Sequence, residues 1–384
     1  MQRIYLDHTA TTPLDPRVLE AMQPYFSGMF GNPSSVHWYG QQARAALERS
    51  RETIARAIGA EAGELFFTSG GTESDNLAIK GTFRAARRKG RTHLVTSAAE
   101  HHAVLEPCEA LTEDGATVTI LPPDNDGRVG AEAVGAAITD LTCLVSVMHA
   151  NNEVGTISSL AAIAAVARAR GVPIHTDAVQ TVGRIPASVR DLGVDLLTFT
   201  AHKMYGPKGI GALFVRRGME LETLLQGGGQ ERGKRPGTEN IPLIVGFAKA
   251  VEIAVSEMEQ ESARLRSLRD ALEQRIRDRF PEVILNGHPS ERLPHILNIS
   301  FDSRKISLEG EMLLLNMDLR GIAVSSGSAC TSGSVQPSHV LLAMGCDPAT
   351  ARATLRFSFG KSNTEEDVDA VVSALGETIN QMRG

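Results

Sequence analysis

An aspartate and a lysine lie at the ends of two apolar segments that are typical of buried strands. Asp177 ends the segment 174–177, and Lys203 comes directly after His202, just beyond the segment 196–200. One helix and one strand fit between them, so both side chains can reach the same edge of a parallel sheet. An amine there can form a Schiff base with an aldehyde cofactor, and the carboxylate can hold a protonated pyridine nitrogen. A surface ion pair is the commoner alternative for any Lys and Asp, but the position at strand ends favours a site.

The segment 68–75, TSGGTESD, joins a predicted strand to a predicted helix through two glycines. We interpret Thr72 and Asp75 as a Thr-x-x-Asp capping pattern. The first turn of such a helix offers backbone N–H groups and the positive end of the helix dipole, which suit a phosphate. Taken alone, an ordinary capped helix is the favoured interpretation. The segment is neither a Gly-x-Gly-x-x-Gly nor a Walker motif, which disfavours a dinucleotide or a nucleoside triphosphate.

Two adjacent histidines, His101 and His102, follow the predicted strand 93–97. An imidazole at this edge of the sheet could stack on a planar ring or move a proton, because it titrates near neutral pH. A metal site is the alternative. These residues and His149 do not supply three convincing ligands, so we expect no metal.

Cys330 lies in the segment 325–334, SSGSACTSGS, among small residues that are poor core material. It is a candidate nucleophile, and a chance loop thiol is the alternative. The other cysteines, Cys108, Cys143 and Cys346, have apolar or helical neighbours and are interpreted as packing residues. The chain has no Cys-x-x-Cys pair, so neither a disulfide framework nor a zinc site is predicted and a reducing compartment is expected.

Two further segments suit a small anionic substrate. Arg356 is a charged residue inside the strand pattern 354–358, which indicates an ion pair or a clamp for a carboxylate. The segment 227–240, GGGQERGKRPGTEN, is long, basic and rich in glycine. Loops of this composition in globular proteins are either functional or disordered.

These residues depend on strands and helices that alternate along the first two thirds of the chain, which predicts a mostly parallel, doubly wound sheet. One long helical pattern, 245–280, ends before Pro281 and connects to a smaller α+β region. We therefore expect an α/β fold with a large cofactor-binding domain, 14–257, and a small domain formed by 1–13 and 258–384 that carries the Cys330 loop. The predicted strands are 65–68, 93–97, 117–121, 144–149, 174–177, 196–200 and 212–215.

Composition excludes several other classes of protein. In 384 residues, 42% are hydrophobic and 22% are charged, which is typical of a globular chain and not of a disordered or fibrous one. The formal net charge of -6 gives no overall attraction to nucleic acid or to an anionic membrane. Residues 1–13 lack the basic and apolar regions of a signal peptide, and no apolar run approaches the ~18 residues of a membrane span. We expect a cytoplasmic protein that binds neither membrane nor nucleic acid.

Together the segments resemble the cysteine desulfurases, which are pyridoxal-phosphate enzymes related to the class V aminotransferases. The resemblance extends in order along essentially the whole chain and includes YLDHTATTPLDP, FGNPSS, FTSGGTESDNLAIKG, EHHAVLEP, HANNEVGT, HTDAVQTVG, AHKMYGPKGIGAL, GGGQERGKRPGTEN, SSGSACTSG and LRFSFG. It implies an aminotransferase-like fold of type I with a seven-stranded sheet, and pyridoxal 5'-phosphate as cofactor. The resemblance implies that Lys203 forms the Schiff base, that Asp177 pairs with the pyridine nitrogen and that His101 stacks on the ring. It implies that Asn152 and Gln180 contact the phenolic oxygen or the substrate. The residues implied to bind the phosphate are Gly71, Thr72, Thr200, His202 and Thr238 of a second subunit.

The resemblance also implies a reaction and partners. L-cysteine would be held through its carboxylate by Arg356 and Asn32, and the Cys330 thiolate would take its sulfur as a persulfide, leaving alanine. A homodimer and a sulfur-acceptor protein, such as an iron–sulfur scaffold, are expected. The spacing around Cys330 is similar to the long-loop subgroup, whereas His8 and Thr9 replace the Asn or Tyr and the Ala or Ser that are common in relatives. A selenocysteine lyase or a small-amino-acid transaminase of the same family is the alternative, and an inactive homologue that acts only in assembly is a third.

Overall fold

A seven-stranded sheet forms the centre of the computed structural model, which describes residues 3–327 and 336–383. The strand order is β2-β8-β7-β6-β5-β3-β4, and only β8 runs antiparallel to its neighbours. The described strands are β1 (Ile4–Tyr5), β2 (Leu65–Thr68), β3 (His93–Ser97), β4 (Thr117–Leu121), β5 (Thr142–Ser146), β6 (Ile174–Asp177), β7 (Leu196–Thr200), β8 (Gly211–Val215), β9 (Val283–Leu285), β10 (Ile296–Phe301), β11 (Ile322–Ala323) and β12 (Thr354–Ser358).

Helices cover both faces of this sheet, as the alternating pattern predicts. Neighbouring residues of one strand serve opposite faces: Phe66 packs in the core with α4 and α5, and Phe67 in the core with α3, α7 and α9. The described helices are α1 (Pro16–Met22), α2 (Pro24–Ser27), α3 (Trp38–Ala57), α4 (Gly71–Arg87), α5 (His102–Ala110), α6 (Ala131–Ala137), α7 (Leu160–Ala169), α8 (Val189–Leu192), α9 (Ile241–Arg279), α10 (Gly310–Leu319), α11 (His339–Ala343), α12 (Pro348–Arg352) and α13 (Glu365–Arg383).

The strand boundaries of the large sheet agree with the sequence analysis except at β5 and at β8, which begins at Gly211, one residue before the predicted 212–215. The apolar run predicts a strand at 144–149, but β5 spans Thr142–Ser146. Residues 147–149 are also buried, although they lie beyond the end of the strand. The apolar pattern follows burial, so the predicted strand begins and ends too late in the chain. The mostly parallel seven-stranded sheet itself is confirmed.

Helix α9 is shared by two apolar cores. It begins at Ile241, after an Asn240 side chain that accepts a hydrogen bond from the Leu243 N–H at 3.3 Å. Its first part packs on the large sheet through residues such as Phe247, and its second part joins another core through residues such as Leu272. The boundaries 14–257 and 258–384 stay a prediction.

The second core contains both ends of the chain. Strands β12, β10 and β9 form an antiparallel sheet, and β1 pairs in parallel with β11. Leu6 is fully buried there among residues of β10, β12 and α13. This pairing places the polar turn that follows Leu6 against the carboxyl edge of the large sheet. No helix in the described ranges combines the length and apolar character needed to cross a membrane.

Candidate active site

A cavity of about 820 Å³ opens at the carboxyl edge of the large sheet, where the second core meets it. Loops after β2, β3, β5, β6 and β7 contribute to it, as expected for a doubly wound sheet. The structure brings most of the predicted site residues together in its lining: Gly71, Thr72, His101, Asn152, Asp177, Gln180, Thr200, His202, Lys203 and Arg356.

Lys203 ends a short 3-10 turn, Ala201–Lys203, that follows β7. Its Nζ donates to the carbonyl oxygen of Ala10 at 2.8 Å and also to that of Thr9. Burial lowers the pKa of the Lys203 ammonium to about 8, and the positive charge of Arg356 contributes to the shift. A lysine with this pKa is partly uncharged near neutral pH, and an uncharged amine is the form that attacks an aldehyde.

Asp177 is the last residue of β6, and 6% of it is exposed. Its Oδ1 accepts a hydrogen bond from the Val179 N–H at 2.8 Å. Burial raises the pKa of the Asp177 carboxyl, whereas His101 and Lys203 favour its charged form. Lys203 and His101 therefore lie near the buried carboxyl group, which can receive a further proton donor from the cavity side.

His101 caps the N-terminus of α5, a helix that the sequence analysis does not predict. The ring Nδ1 accepts a hydrogen bond from the Ala103 N–H at 3.0 Å. Desolvation lowers the pKa of His101. Because Nδ1 accepts a hydrogen bond, the neutral ring carries its proton on Nε2. In the described residues no group of three or more His, Cys, Asp and Glu side chains is arranged to hold a metal ion.

The N-terminus of α4 differs from the predicted capping pattern. The helix begins at Gly71, its N-cap is Gly70, and no side chain caps it. The prediction of a Thr72–Asp75 capping box is wrong, because Gly70 is the N-cap and Asp75, which is 1% exposed, belongs to the buried lining of the cavity. The first helical bond is donated by the Ser74 N–H to the Gly70 carbonyl at 3.1 Å, so the preceding N–H groups belong to the cavity end of the helix.

His202 and Thr200 lie opposite this helix end. The His202 Nδ1 and the Thr11 hydroxyl are 3.1 Å apart, and burial lowers the pKa of His202 to about 4. The Thr200 hydroxyl donates to the Ile210 carbonyl at 2.9 Å. A second cavity of about 400 Å³ continues outward from here, lined in part by Glu73 and Lys208. The helix dipole and these polar groups suit an anion such as a phosphate.

Arg356 reaches the cavity from β12 and is 5% exposed. Its guanidinium donates to Asp7 Oδ1 at 2.8 Å and to the Asn152 carbonyl at 3.0 Å. Of the two roles predicted for Arg356, the ion pair is therefore present. The guanidinium also lines the cavity, where it could bind a substrate carboxylate. Gln180 donates through Nε2 to the Thr9 carbonyl at 3.2 Å.

Three predicted residues are not brought into this lining. Asn32 is exposed, and its Oδ1 accepts from the Ser34 N–H at 2.9 Å. Thr238 is also exposed, and neither residue lines either cavity. Cys330 lies outside the described residues. The roles expected of these three stay predictions.

The structure adds residues that the sequence analysis did not select. Asp7 pairs with Arg356, and Glu153 is buried in the cavity wall. The sequence analysis includes Glu153 in the HANNEVGT segment but gives it no role. His8, the departure from the family pattern, lies outside the cavity lining and packs edge-on against Tyr5, with ring centroids 4.8 Å apart. Thr9 contributes its carbonyl oxygen to the site, so the departure at that position leaves the acceptor for Lys203 in place.

The residues present fit pyridoxal phosphate. A partly uncharged lysine, a buried carboxylate and an unobstructed helix N-terminus line one cavity, and they match the aldehyde, the pyridine nitrogen and the phosphate of that molecule. The volume of about 820 Å³ also leaves room for a small amino acid beside a ring.

Comparison with known proteins agrees with this geometry. The family model of the class-V aminotransferases matches residues 4–371. The cysteine desulfurase IscS of Dictyoglomus turgidum is 48% identical over 382 residues, which cover 100% of this chain and 96% of the relative. Among solved structures, a NifS-like protein aligns with a TM-score of 0.91 and 37% identity over 99% of this chain and 100% of the other. The structure of SspA in complex with cysteine aligns with a TM-score of 0.81 and 38% identity, over 93% of this chain and 98% of the other. The chain therefore belongs to the class-V aminotransferase family, among its cysteine desulfurases.

Proposed function

We propose that this chain is a pyridoxal-phosphate-dependent cysteine desulfurase, which converts L-cysteine to L-alanine and takes the sulfur as a persulfide on Cys330. The observation that carries the proposal is the convergence of Lys203, Asp177 and Arg356 on one cavity. The full-length similarity to proteins named cysteine desulfurase supports the choice of reaction.

Pyridoxal phosphate, when bound through Lys203, supplies an aldehyde for the substrate amine and an electron sink for the bonds broken at the substrate carbons. Gly71, Thr72, Thr200 and His202 would hold its phosphate, and Asp177 would pair with its ring nitrogen. His101 would stack on the ring, and Asn152 and Gln180 would serve its phenolic oxygen. Lys203 would also be the base that moves a proton at the substrate α carbon, for which a pKa of about 8 is suitable.

Arg356 binds the substrate carboxylate, with Asn32 as a second contact. The guanidinium is held in place by Asp7 and by the Asn152 carbonyl, so it meets the substrate already oriented. Charge-assisted hydrogen bonds of this kind fix the position and orientation of a carboxylate.

Cys330 is the nucleophile. Its thiolate forms a bond to the substrate sulfur while the carbon–sulfur bond breaks, and the electron pair left on carbon is neutralised by a proton to give alanine. The persulfide then passes to an acceptor protein such as an iron–sulfur scaffold. The cytoplasmic location expected from the cysteine pattern stays a prediction.

The active form is a homodimer in this proposal. The rings of Phe30, Trp38 and Tyr39 form an exposed aromatic patch, in which the ring centroid of Tyr39 lies 5.4 Å from that of Phe30 and 5.0 Å from that of Trp38. Phe30 and Trp38 are 66% and 59% exposed, and Phe26 and Val36, nearby in sequence, are exposed as well. Exposed apolar groups of this size mark interfaces. The patch surrounds Asn32 in sequence, and a homodimer is also required by the expected contact of a second subunit's Thr238 with the phosphate.

The test is the release of alanine and sulfide from L-cysteine under reductant, with purified protein loaded with pyridoxal phosphate. We expect Cys330→Ser to abolish the release of both products and to keep the cofactor absorbance. Lys203→Ala should also lose the release of both products. Undiminished release by Cys330→Ser would overturn the assigned nucleophile. Turnover of alanine with a keto acid that does not depend on Cys330 would instead support a transaminase. Release of alanine from selenocysteine that does not depend on Cys330 would support a selenocysteine lyase.

A further inference from the structure

Glu153 is a buried carboxyl group that the proposed reaction does not use. It follows Asn152 in the wall of the cavity and is 2% exposed. Its N–H donates to Asn151 Oδ1 at 2.8 Å, and its carbonyl accepts from Asn298 Nδ2 at 3.1 Å. The backbone of Glu153 is thus fixed on both sides, so its side chain starts from a rigid point.

The carboxyl group of Glu153 contacts residues on both sides of the segment 328–335. On the far side, the Ser338 hydroxyl donates to Glu153 Oε2 and also accepts from the Leu341 N–H at 3.1 Å, as the N-cap of α11. On the near side, a Cβ added to Gly327 would lie 2.8 Å from the same Oε2. The carboxyl therefore occupies the space between the two points where the segment begins and ends.

Gly327 is also constrained by its backbone. Its φ is +93°, a conformation that residues with side chains rarely adopt. Glycine therefore meets two requirements there, the left-handed backbone and the close approach of the Glu153 carboxylate. Arg356 from β12 also faces that carboxyl, as do the imidazole rings of His339 from α11 and His102 from α5. The charge of Arg356 offsets part of the cost of burying the carboxyl group.

We propose that Glu153 is a positioning residue: it fixes both ends of the segment that carries Cys330, and efficient sulfur transfer to Cys330 depends on this anchor. The inference rests on the proposed function, because it takes Cys330 as the nucleophile. Glu153 forms no bond to the transferred sulfur in this proposal and acts through Gly327 and Ser338.

The experiment compares Glu153→Ala, Glu153→Gln and Ser338→Ala in the full-length protein loaded with pyridoxal phosphate. Glu109→Ala, which removes an exposed carboxylate of α5, is the matched control. Persulfide on Cys330 is followed by mass spectrometry in a single turnover, and kcat and KM for L-cysteine are measured under reductant. Amide hydrogen exchange at residues 324–327 and 336–340 reports the anchor independently of activity.

We expect Glu153→Ala to lower kcat and the rate of persulfide formation by about tenfold or more, since small displacements of a reacting group are costly. KM and the cofactor absorbance should stay within about twofold, and exchange at both flanking stretches should become faster. Glu153→Gln should recover most of the rate, because an amide oxygen fills the same space and still accepts from Ser338. Ser338→Ala should show an intermediate loss.

The proposal is overturned if Glu153→Ala forms persulfide at the parent rate, if its exchange pattern matches the parent, or if Glu153→Gln is no better than Glu153→Ala. Loss of cofactor in proportion to activity in both Glu153 variants would also overturn it, since the effect would then lie in cofactor binding. Absence of persulfide in the parent protein would be a failure of the proposed function, and the exchange measurement would still decide whether Glu153 anchors the segment.

Discussion

Arg356 and Asp7 form an ion pair of 2.8 Å although they are 349 residues apart in the chain. The pair joins the turn after β1 to β12 and leaves the guanidinium at the cavity. Both partners are needed for this geometry, because Arg356 has its second contact with a main-chain carbonyl of another loop.

The first prediction concerns this pair. Arg356→Ala should raise KM for L-cysteine by about 10- to 100-fold, since a hydrogen bond to a charged group contributes ~1.5–3 kcal/mol. Arg356→Lys should recover little, because an ammonium cannot reproduce the two-partner geometry of the guanidinium. Asp7→Asn should have a smaller effect in the same direction. Steady-state kinetics check this, and a normal KM in Arg356→Ala would remove Arg356 from substrate binding.

The second prediction is a pH dependence. The uncharged amine of Lys203 captures the cofactor, and burial lowers its pKa to about 8. In cofactor-free protein, the rate of cofactor capture should therefore rise about tenfold per pH unit below 8 and level off above it. Stopped-flow absorbance from pH 6.5 to 9.5 measures this, corrected for the titration of free pyridoxal phosphate with a simple amine. A rise that continues unchanged to pH 9.5 would contradict the lowered pKa.

The third prediction separates two buried carboxyl groups. Burial and the neighbouring charge of Asp177 raise the pKa of Asp75 well above its usual range, whereas His101 and Lys203 oppose the rise at Asp177, so we expect the negative charge of the pair on Asp177. Asp75→Asn should therefore change kcat by less than about threefold. Asp177→Asn should lower kcat by about 100-fold, because it removes the charge opposite the ring nitrogen. Equal losses in the two variants would show that the charge is not localised on Asp177.

The fourth prediction concerns the anchoring of the loop that carries Thr238. Arg51 and Glu231, both almost completely buried, form two hydrogen bonds of 2.7 Å, and Glu231 also accepts from the Phe67 N–H at 2.9 Å. Glu231→Ala should lower the free energy of unfolding by ~3–5 kcal/mol, because it removes the buried carboxylate that pairs with Arg51 and leaves only the longer, 3.4 Å contact with Glu48.

Thermal and urea unfolding test that value. Glu220→Ala, which breaks an exposed pair with Lys89, is the control and should leave the midpoint unchanged. If Glu231→Ala were as stable as the control, the buried pair would not anchor the loop.

The fifth prediction tests the aromatic patch as a subunit interface. Phe30→Asp should shift the protein from a dimer to a single chain in size-exclusion chromatography with light scattering, because a desolvated carboxylate is costly in an apolar interface. Trp38, the single tryptophan, should then report greater exposure through a red shift of its fluorescence. Leu141→Asp changes an isolated exposed apolar residue and should stay dimeric. A parent protein that is a single chain would reject the interface.

The sequence predicted the large sheet well because its central strands are short runs rich in apolar and β-branched residues, and the structure buries them on both faces. β6 and β7 have the predicted boundaries, and Asp177 and Lys203 meet at one cavity. The N-cap of α4 was wrong for a specific reason: Thr72 and Asp75 fit a local capping rule, but tertiary packing buries Asp75. Helix α5 was missed because Pro107 lies inside it.

Contacts between distant segments were outside the reach of local patterns. The pairing of Arg356 with Asp7 depends on β1 lying beside β11, and no periodicity encodes that arrangement. The same applies to Glu153, whose partners Gly327 and Ser338 follow it by more than 170 residues. Such contacts depend on the completed fold, whereas strand and helix patterns depend on neighbours along the chain.

The position of the amino-terminal turn has a consequence for biosynthesis. Thr9 donates its N–H to the Ser358 hydroxyl at 3.0 Å, and the Thr9 and Ala10 carbonyls hold Lys203. A ribosome that adds about 5–20 residues per second reaches residue 358 roughly tens of seconds after residue 9. A nascent chain therefore has every strand of the large sheet before the turn can dock, so the carbonyl groups that hold Lys203 are fixed only after residue 358 has been made.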